Sequence, residues 1–150
     1  MVSQAAEYAL RSLLCLAEFP AGTALTTHQI AQHAHIPSGY LAKILQVLAK
    51  AGLLVSQRGL NGGFSLVADL DRVTLLDVTR LTDASRRIAT CPVGVHGTDL
   101  CPLHRRLDGA AAAVETMLAD VTLGQLLREQ PRPCGRGPMI NSSTTKAGTP

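Results

Sequence analysis

The residues best equipped for chemistry lie in one stretch, Cys91-Pro-Val-Gly-Val-His96-Gly-Thr-Asp-Leu-Cys101-Pro-Leu-His104. Its two thiols and two imidazoles are donor types that bind transition metals. Pro102 suits the first position of a helix, which places Cys101 at the N-cap. The helix dipole there favours thiolate, the form that ligates metal. His104 follows three residues later, on the same face of the helix. Cys91 approaches from the preceding loop, and His96 sits midway between the cysteines. Four such donors hold either a [2Fe–2S] cluster with mixed ligation or a tetrahedral zinc. The remaining thiols are placed differently: Cys15 reads as a core residue of a helix, and Cys134 as a free thiol in a tail. No other constellation of acid, base and nucleophile is visible, so an enzyme is not expected.

The elements that must position this loop follow from hydrophobic periodicity. Residues 3–18 repeat apolar side chains at Ala6, Ala9, Leu10, Leu13, Leu14 and Ala17, a helical pattern ended by Pro20 and Gly22. Thr26-Thr27-His28-Gln29 is a capping box that opens a short helix to about His33. Ile36-Pro37-Ser38 is a turn and a new start, and Gly52 closes the helix that runs to about Lys50. Leu41, Ile44, Leu45 and Leu48 form its buried stripe. Ser38, Gly39, Ala42, Lys43, Gln46 and Lys50 form the other face, which is small, polar or basic.

Strands are expected at Leu53–Ser56 and Phe64–Val67. Between them, Gln57-Arg58-Gly59-Leu60-Asn61-Gly62-Gly63 supplies the glycines of a tight reversal. Helix, turn, helix, hairpin is the order of a winged helix-turn-helix. The second helix of the pair enters a major groove, and the hairpin tip reaches the backbone or minor groove. The charge distribution agrees. The formal net charge is +3, and no acidic residue occurs between Glu18 and Asp69. A phosphate-facing surface needs such an acid-free stretch.

A fourth helix is expected from Thr74 to about Thr82, then a loop over 83–100, then a long helix from Pro102. Leu103, Leu107, Ala110, Val114, Met117 or Leu118, and Val121 recur at spacings of three and four, like a coiled-coil seam. One small domain offers little to cover it. A second copy is therefore the expected partner, the alternative being that the seam packs back on its own domain. Beyond Leu127 the chain turns rich in Pro, Gly, Ser and Thr and reads as disordered. The expected organisation is thus a winged helix-turn-helix over 1–82, a Cys/His sensor loop over 83–100, a dimerisation helix and terminal short helix over 101–127, and a tail over 128–150. The class is mainly α with a small β-hairpin.

With 150 residues, 46% of them hydrophobic and only 3% aromatic, the chain can build one core of Leu, Val, Ile and Ala. No run of about twenty apolar residues suggests a membrane span, and no export signal is evident. Four cysteines in such a chain read as thiols or metal ligands, which fits a cytoplasmic protein.

Three segments carry a resemblance: SQAAEYALRSLLCLA, IPSGYLAKILQVLAKAGLLVSQRGLNGGFSLV and TLLDVTRLTD, joined by TLGQLL near the end. Over residues 1–127 the chain resembles the Rrf2 family of bacterial winged-helix transcription regulators, which includes iron–sulfur and nitric-oxide sensors. The resemblance implies a cytoplasmic homodimer acting on double-stranded DNA at a palindromic operator, most simply as a repressor. It implies DNA contacts from Thr27, His28, Ser38, Gly39, Tyr40, Ala42 and Lys43, and from Arg58, Asn61 and Gly62 in the wing. Tyr40 could instead pack its ring in the core. Ala42 stands where some relatives carry an acidic residue, so their operator preference is not carried over.

The same resemblance implies an iron–sulfur cluster, [2Fe–2S] in type. Cys91 matches the first cysteine of cluster-binding relatives, Cys101 the third, and His104 a histidine after it. The middle cysteine has no counterpart. The fourth ligand is then His96, or Glu7 brought by the partner subunit, as in some relatives. Oxidation, nitrosylation or loss of the cluster would reorganise the loop and change the spacing of the recognition helices. The alternative is a cluster-free repressor that responds to a thiol or small-molecule signal. A third reading is an adaptor that uses the winged helix without DNA.

Overall fold

The computed structural model describes residues 2–60, 62–84, 87–94 and 99–129. Asn61, His96 and residues 130–150 of the expected tail therefore lie outside the described residues. The elements run α1 (Gln4–Ala17), α2 (Thr27–Ala34), α3 (Ser38–Lys50), β1 (Leu54–Gln57), β2 (Gly63–Leu66), α4 (Leu75–Thr82), α5 (Pro102–Ala119) and α6 (Leu123–Glu129). The fold is mainly helical with one antiparallel hairpin, in the order expected of a winged helix.

Three helices start on the same device. Thr26 and Gln29 exchange backbone-to-side-chain bonds of 2.9 and 3.2 Å. Thr74 and Asp77 do so at 2.9 and 3.1 Å, and Thr122 and Gln125 at 2.8 and 3.2 Å. Each reciprocal pair satisfies two backbone donors that a helix start leaves open. The carboxylate of Asp77 is held below its ordinary pKa, chiefly by the side-chain bond from Thr74. Helix α3 lacks a side-chain cap; Pro37 precedes it in an extended conformation.

The core lies where α1, α2 and α3 meet, with α4 and α6 closing it. Leu13, Ile30, Leu41, Leu45, Leu48, Val78 and Leu123 are fully buried. The reversal between α2 and α3 is made by His35 at φ 53°, a left-handed residue without a glycine. Arg11 of α1 holds that reversal. Its guanidinium donates to the carbonyl oxygens of Ala34 and, at 3.0 Å, of His35. Both serve the carbonyls that a helix end leaves open.

Both strands are shifted by one residue from expectation, toward the tip of the hairpin. Gln57 pairs with Gly63 at the tip end and Leu54 with Leu66 at the root. Two more bonds tie β2 to the entry of α2, from the Leu25 N–H to the Phe64 carbonyl (3.0 Å) and back (2.8 Å). Gly63 makes this possible. At φ +149° its missing Cβ would sit 2.2 Å from the Leu25 oxygen.

Two boundaries also differ in the C-terminal part. Helix α5 ends at Ala119, so Val121 is not on the helical seam; its carbonyl instead accepts the Leu75 N–H at 3.0 Å. The bridge between Thr74 and Thr122 turns the chain back toward α4. The region that composition marks as tail begins with Arg128 and Glu129 still in α6. Among the described residues, no helix is long and apolar enough to cross a membrane.

Candidate metal centre and nucleic-acid face

Cys91, Cys101 and His104 converge. Their Sγ and imidazole nitrogen atoms all lie within 4.8 Å of one another, and among the described residues this is the one group of three such donors. His104 Nδ1 is 3.1 Å from Cys101 Sγ and 3.6 Å from Cys91 Sγ. Cys101 is the extended N-cap residue of α5, Pro102 its first helical residue, and His104 stands one turn along. Cys91 is buried, and a turn closed by the Gly94 N–H on its carbonyl (3.0 Å) fixes it. The Val93 N–H, then the backbone N–H and thiol of Cys101 and the Gly94 N–H, hold the Cys91 thiol below its ordinary pKa against desolvation. A lowered pKa favours the thiolate, the form that ligates metal.

Cys15 contrasts with it. It lies in the core on α1, where burial and then the charge of Glu18 push its thiol up to about 11. It is a packing residue, as its helical position suggests. Glu7 is exposed on α1 and pairs with Arg11 at 3.5 Å, apart from the three-donor group of its own chain.

The loop is tied to its surroundings by residues that local sequence patterns did not single out. Arg87 donates to both carboxylate oxygens of Asp108 at 2.7 and 2.8 Å, and the Ile88 N–H adds a third bond of 2.8 Å. Asp108 lies one turn beyond His104 on α5. The Arg87 bond, then the Ile88 N–H, brings its pKa down to about 2. Arg80 of α4 reaches Glu115 of α5 at 3.1 Å. The Ser3 N–H and hydroxyl both bond Asp83 at the end of α4, the former at 3.0 Å. Loop, α4, α5 and the start of α1 are therefore mechanically linked.

On α3, Leu41, Ile44, Leu45 and Leu48 are buried as the stripe requires, while Ser38, Gly39, Tyr40, Ala42, Lys43 and Gln46 are exposed. Tyr40 is 61% exposed, so its ring is not a core element. His28 is exposed on α2 and Thr27 is half-buried. Arg58 is exposed at the wing, followed by a fully exposed Leu60. Gly62 has a structural role as well. Its N–H bonds the Gly59 carbonyl at 2.9 Å, and a Cβ there would lie 2.6 Å from the Gln57 oxygen.

Helix α5 has no buried residue, and Leu103, Leu107, Val114 and Met117 are exposed on it. A cavity of about 270 Å³ opens beside it, lined by Val2, Leu76, Leu107, Ala110, Val114 and Leu118 among others. None of the three metal-type donors lines it.

A family model described as Rrf2, iron-dependent transcriptional regulator, matches residues 2–129. The fold is similar to a structure of IscR from T. potens, with 23% identity, 86% of this chain and 87% of that chain covered, and a TM-score of 0.69. It is also similar to CymR (YrzC), the global cysteine regulator of B. subtilis, with 26% identity, 87% and 98% coverage and a TM-score of 0.69. A structure of CymR from Staphylococcus aureus in an oxidised form matches with 23% identity, 85% and 95% coverage and a TM-score of 0.65. The family and these neighbours are transcriptional regulators, not enzymes.

Proposed function

The chain belongs to the Rrf2 family of transcriptional regulators, and from that membership we propose a cytoplasmic repressor that binds a palindromic operator as a homodimer and senses through Cys91, Cys101 and His104. The convergence of two thiols and an imidazole at the start of α5 carries the sensing part of this reading. The donor chemistry fits a [2Fe–2S] cluster, with a fourth ligand from His96 or from Glu7 of the partner subunit. When bound, the cluster would supply a centre responsive to redox state and nitric oxide.

The chain's own residues then do the rest. Val93, Gly94 and Cys101 N–H groups keep Cys91 aimed at Cys101. Any displacement of Cys91 or Cys101 is felt by α5 directly and by the loop root through Arg87–Asp108. Arg80–Glu115 and Ser3–Asp83 carry it on to α4 and α1. Helix α1 packs on α3, so the spacing of two recognition helices in a dimer depends on this chain of contacts. DNA contact is assigned to Thr27, His28, Ser38, Gly39, Tyr40, Ala42 and Lys43 in the major groove, and to Arg58, Asn61 and Gly62 at the wing. The acid-free, exposed face of α3 supports this assignment and disfavours an adaptor without DNA. The seam of α5 is assigned to the partner copy.

The test is anaerobic purification with visible absorption and analysis of iron, sulfide and zinc, followed by duplex binding. Iron and sulfide in equal amounts with visible absorption are expected. A colourless protein without iron would remove the cluster, and zinc would replace it. Loss of duplex binding in Arg58→Ala and Lys43→Ala tests the DNA face. A second reading, a cluster-free repressor responsive to thiols, is favoured by two observations: the missing middle cysteine and the likeness to CymR, a cysteine regulator.

A further inference from the structure

We infer that, when no metal holds them, Cys91 and Cys101 form a dithiol that a hydroperoxide converts into a disulfide, giving the loop a second, peroxide-responsive state. The inference rests on the reading of this loop as the sensing site and extends it to the iron-free protein. The two sulfurs lie within 4.8 Å of each other, with His104 Nδ1 3.1 Å from Cys101 Sγ and 3.6 Å from Cys91 Sγ. Cys91 is buried, whereas Cys101 is half-buried at the helix start, so Cys101 is the sulfur an oxidant meets first. The Cys101 side chain makes no capping bond to α5. Cys15 is sealed in the core and is no competitor.

The chemistry balances with the peroxide as sole oxidant. The Cys101 sulfur attacks a peroxide oxygen and the O–O bond breaks, giving a sulfenic acid and an alcohol, or water from hydrogen peroxide. The Cys91 sulfur then attacks the Cys101 sulfur. The S–S bond forms, and hydroxide leaves as water with the second thiol proton. Two thiols lose two electrons in total and the peroxide gains them. Disulfide formation requires the sulfurs to close to about 2.05 Å. A disulfide has no thiolate to offer, so this state and the metal-bound state exclude each other.

The experiment uses the full-length protein, reduced and stripped with a chelator, then given hydrogen peroxide at equal concentration under anaerobic conditions. Non-reducing peptide mass spectrometry should join the Cys91 and Cys101 peptides, with loss of two of the four thiols. Dithiothreitol should restore both thiols, and iron and sulfide uptake should return only after that reduction. Cys91→Ser should stop at a Cys101 sulfenic acid that dimedone traps. Free Cys91 and Cys101 after peroxide, sulfinic acid on Cys101 of the wild type, or a link to Cys134 would each overturn the inference. Iron-free protein from the anaerobic preparation overturns the cluster reading alone. Unreacted thiols overturn the disulfide alone.

Discussion

Helices α3 and α5 are built from similar apolar repeats, yet they end in opposite circumstances. Four residues of α3 are buried, and α1, α2 and α4 fix its axis and rotation. Helix α5 is longer and buries none, being held by two ion-pair clamps and the short bridge near Thr122. An apolar repeat therefore predicts that a face will be covered, but not by what. The core of its own chain covers the stripe of α3. Among the described residues, nothing buries the seam of α5.

Substitutions on the two helices should separate these roles. The largest effect is expected from Leu45→Ala, which empties a fully buried site and should cost about 2–5 kcal/mol of folding stability. Urea unfolding measures it, and a cost below that range would mean that the core is less tightly packed around α3. Leu107→Glu should leave that stability within about 0.5 kcal/mol, as exposed substitutions do. It should convert dimer to monomer in sedimentation, because symmetry would face two carboxylates across the seam. A dimer unaffected by Leu107→Glu would move the interface off this face.

The wing should respond differently from either helix. Arg58→Ala is expected to cost about 1–3 kcal/mol in duplex affinity and to lower the salt slope by about 1. Folding and oligomeric state should not change. An unaltered salt slope would place Arg58 off the phosphates.

The smallest effect is expected at the clamp. Asp108 titrates at about 2 in the folded chain, below the usual value of about 3.9. Its contribution is therefore complete above the unfolded pKa and is lost as pH falls through about 2. The carboxyl chemical shift of Asp108 should show this midpoint. Asp108→Asn should speed amide exchange at Ile88 at neutral pH while α3 stays protected. Equal exchange in both proteins would show that the clamp does not hold the loop.

The sequence was readable where the physics is local. The stripe of α3, the Thr26 capping box, the hairpin and the N-cap position of Cys101 each depend on residues within one or two turns, and each stands where its pattern puts it, the hairpin strands to within one residue. The contacts that join distant segments left no such signal. Arg11 capping the end of α2 spans 23 residues, and Arg87 on Asp108 spans 21. The end of α5 at Ala119, before the last seam residue, is likewise set by pairing with Thr74. For the candidate site, spacing identified Cys101 with His104, but the Val93 and Gly94 donors around Cys91 depend on a turn that residue types only hint at.

The contact between Gly63 and the Leu25 carbonyl has an implication for how such a chain can diversify. It fastens the root of the hairpin to the entrance of α2, so the root belongs to the rigid body that carries α3. Arg58 and Leu60 are exposed beyond that fastening. Evolution, or a protein engineer, can rewrite the tip as an exchangeable cassette while the geometry of the reading head stays in register. Gly62 and Gly63 are the positions where that freedom stops.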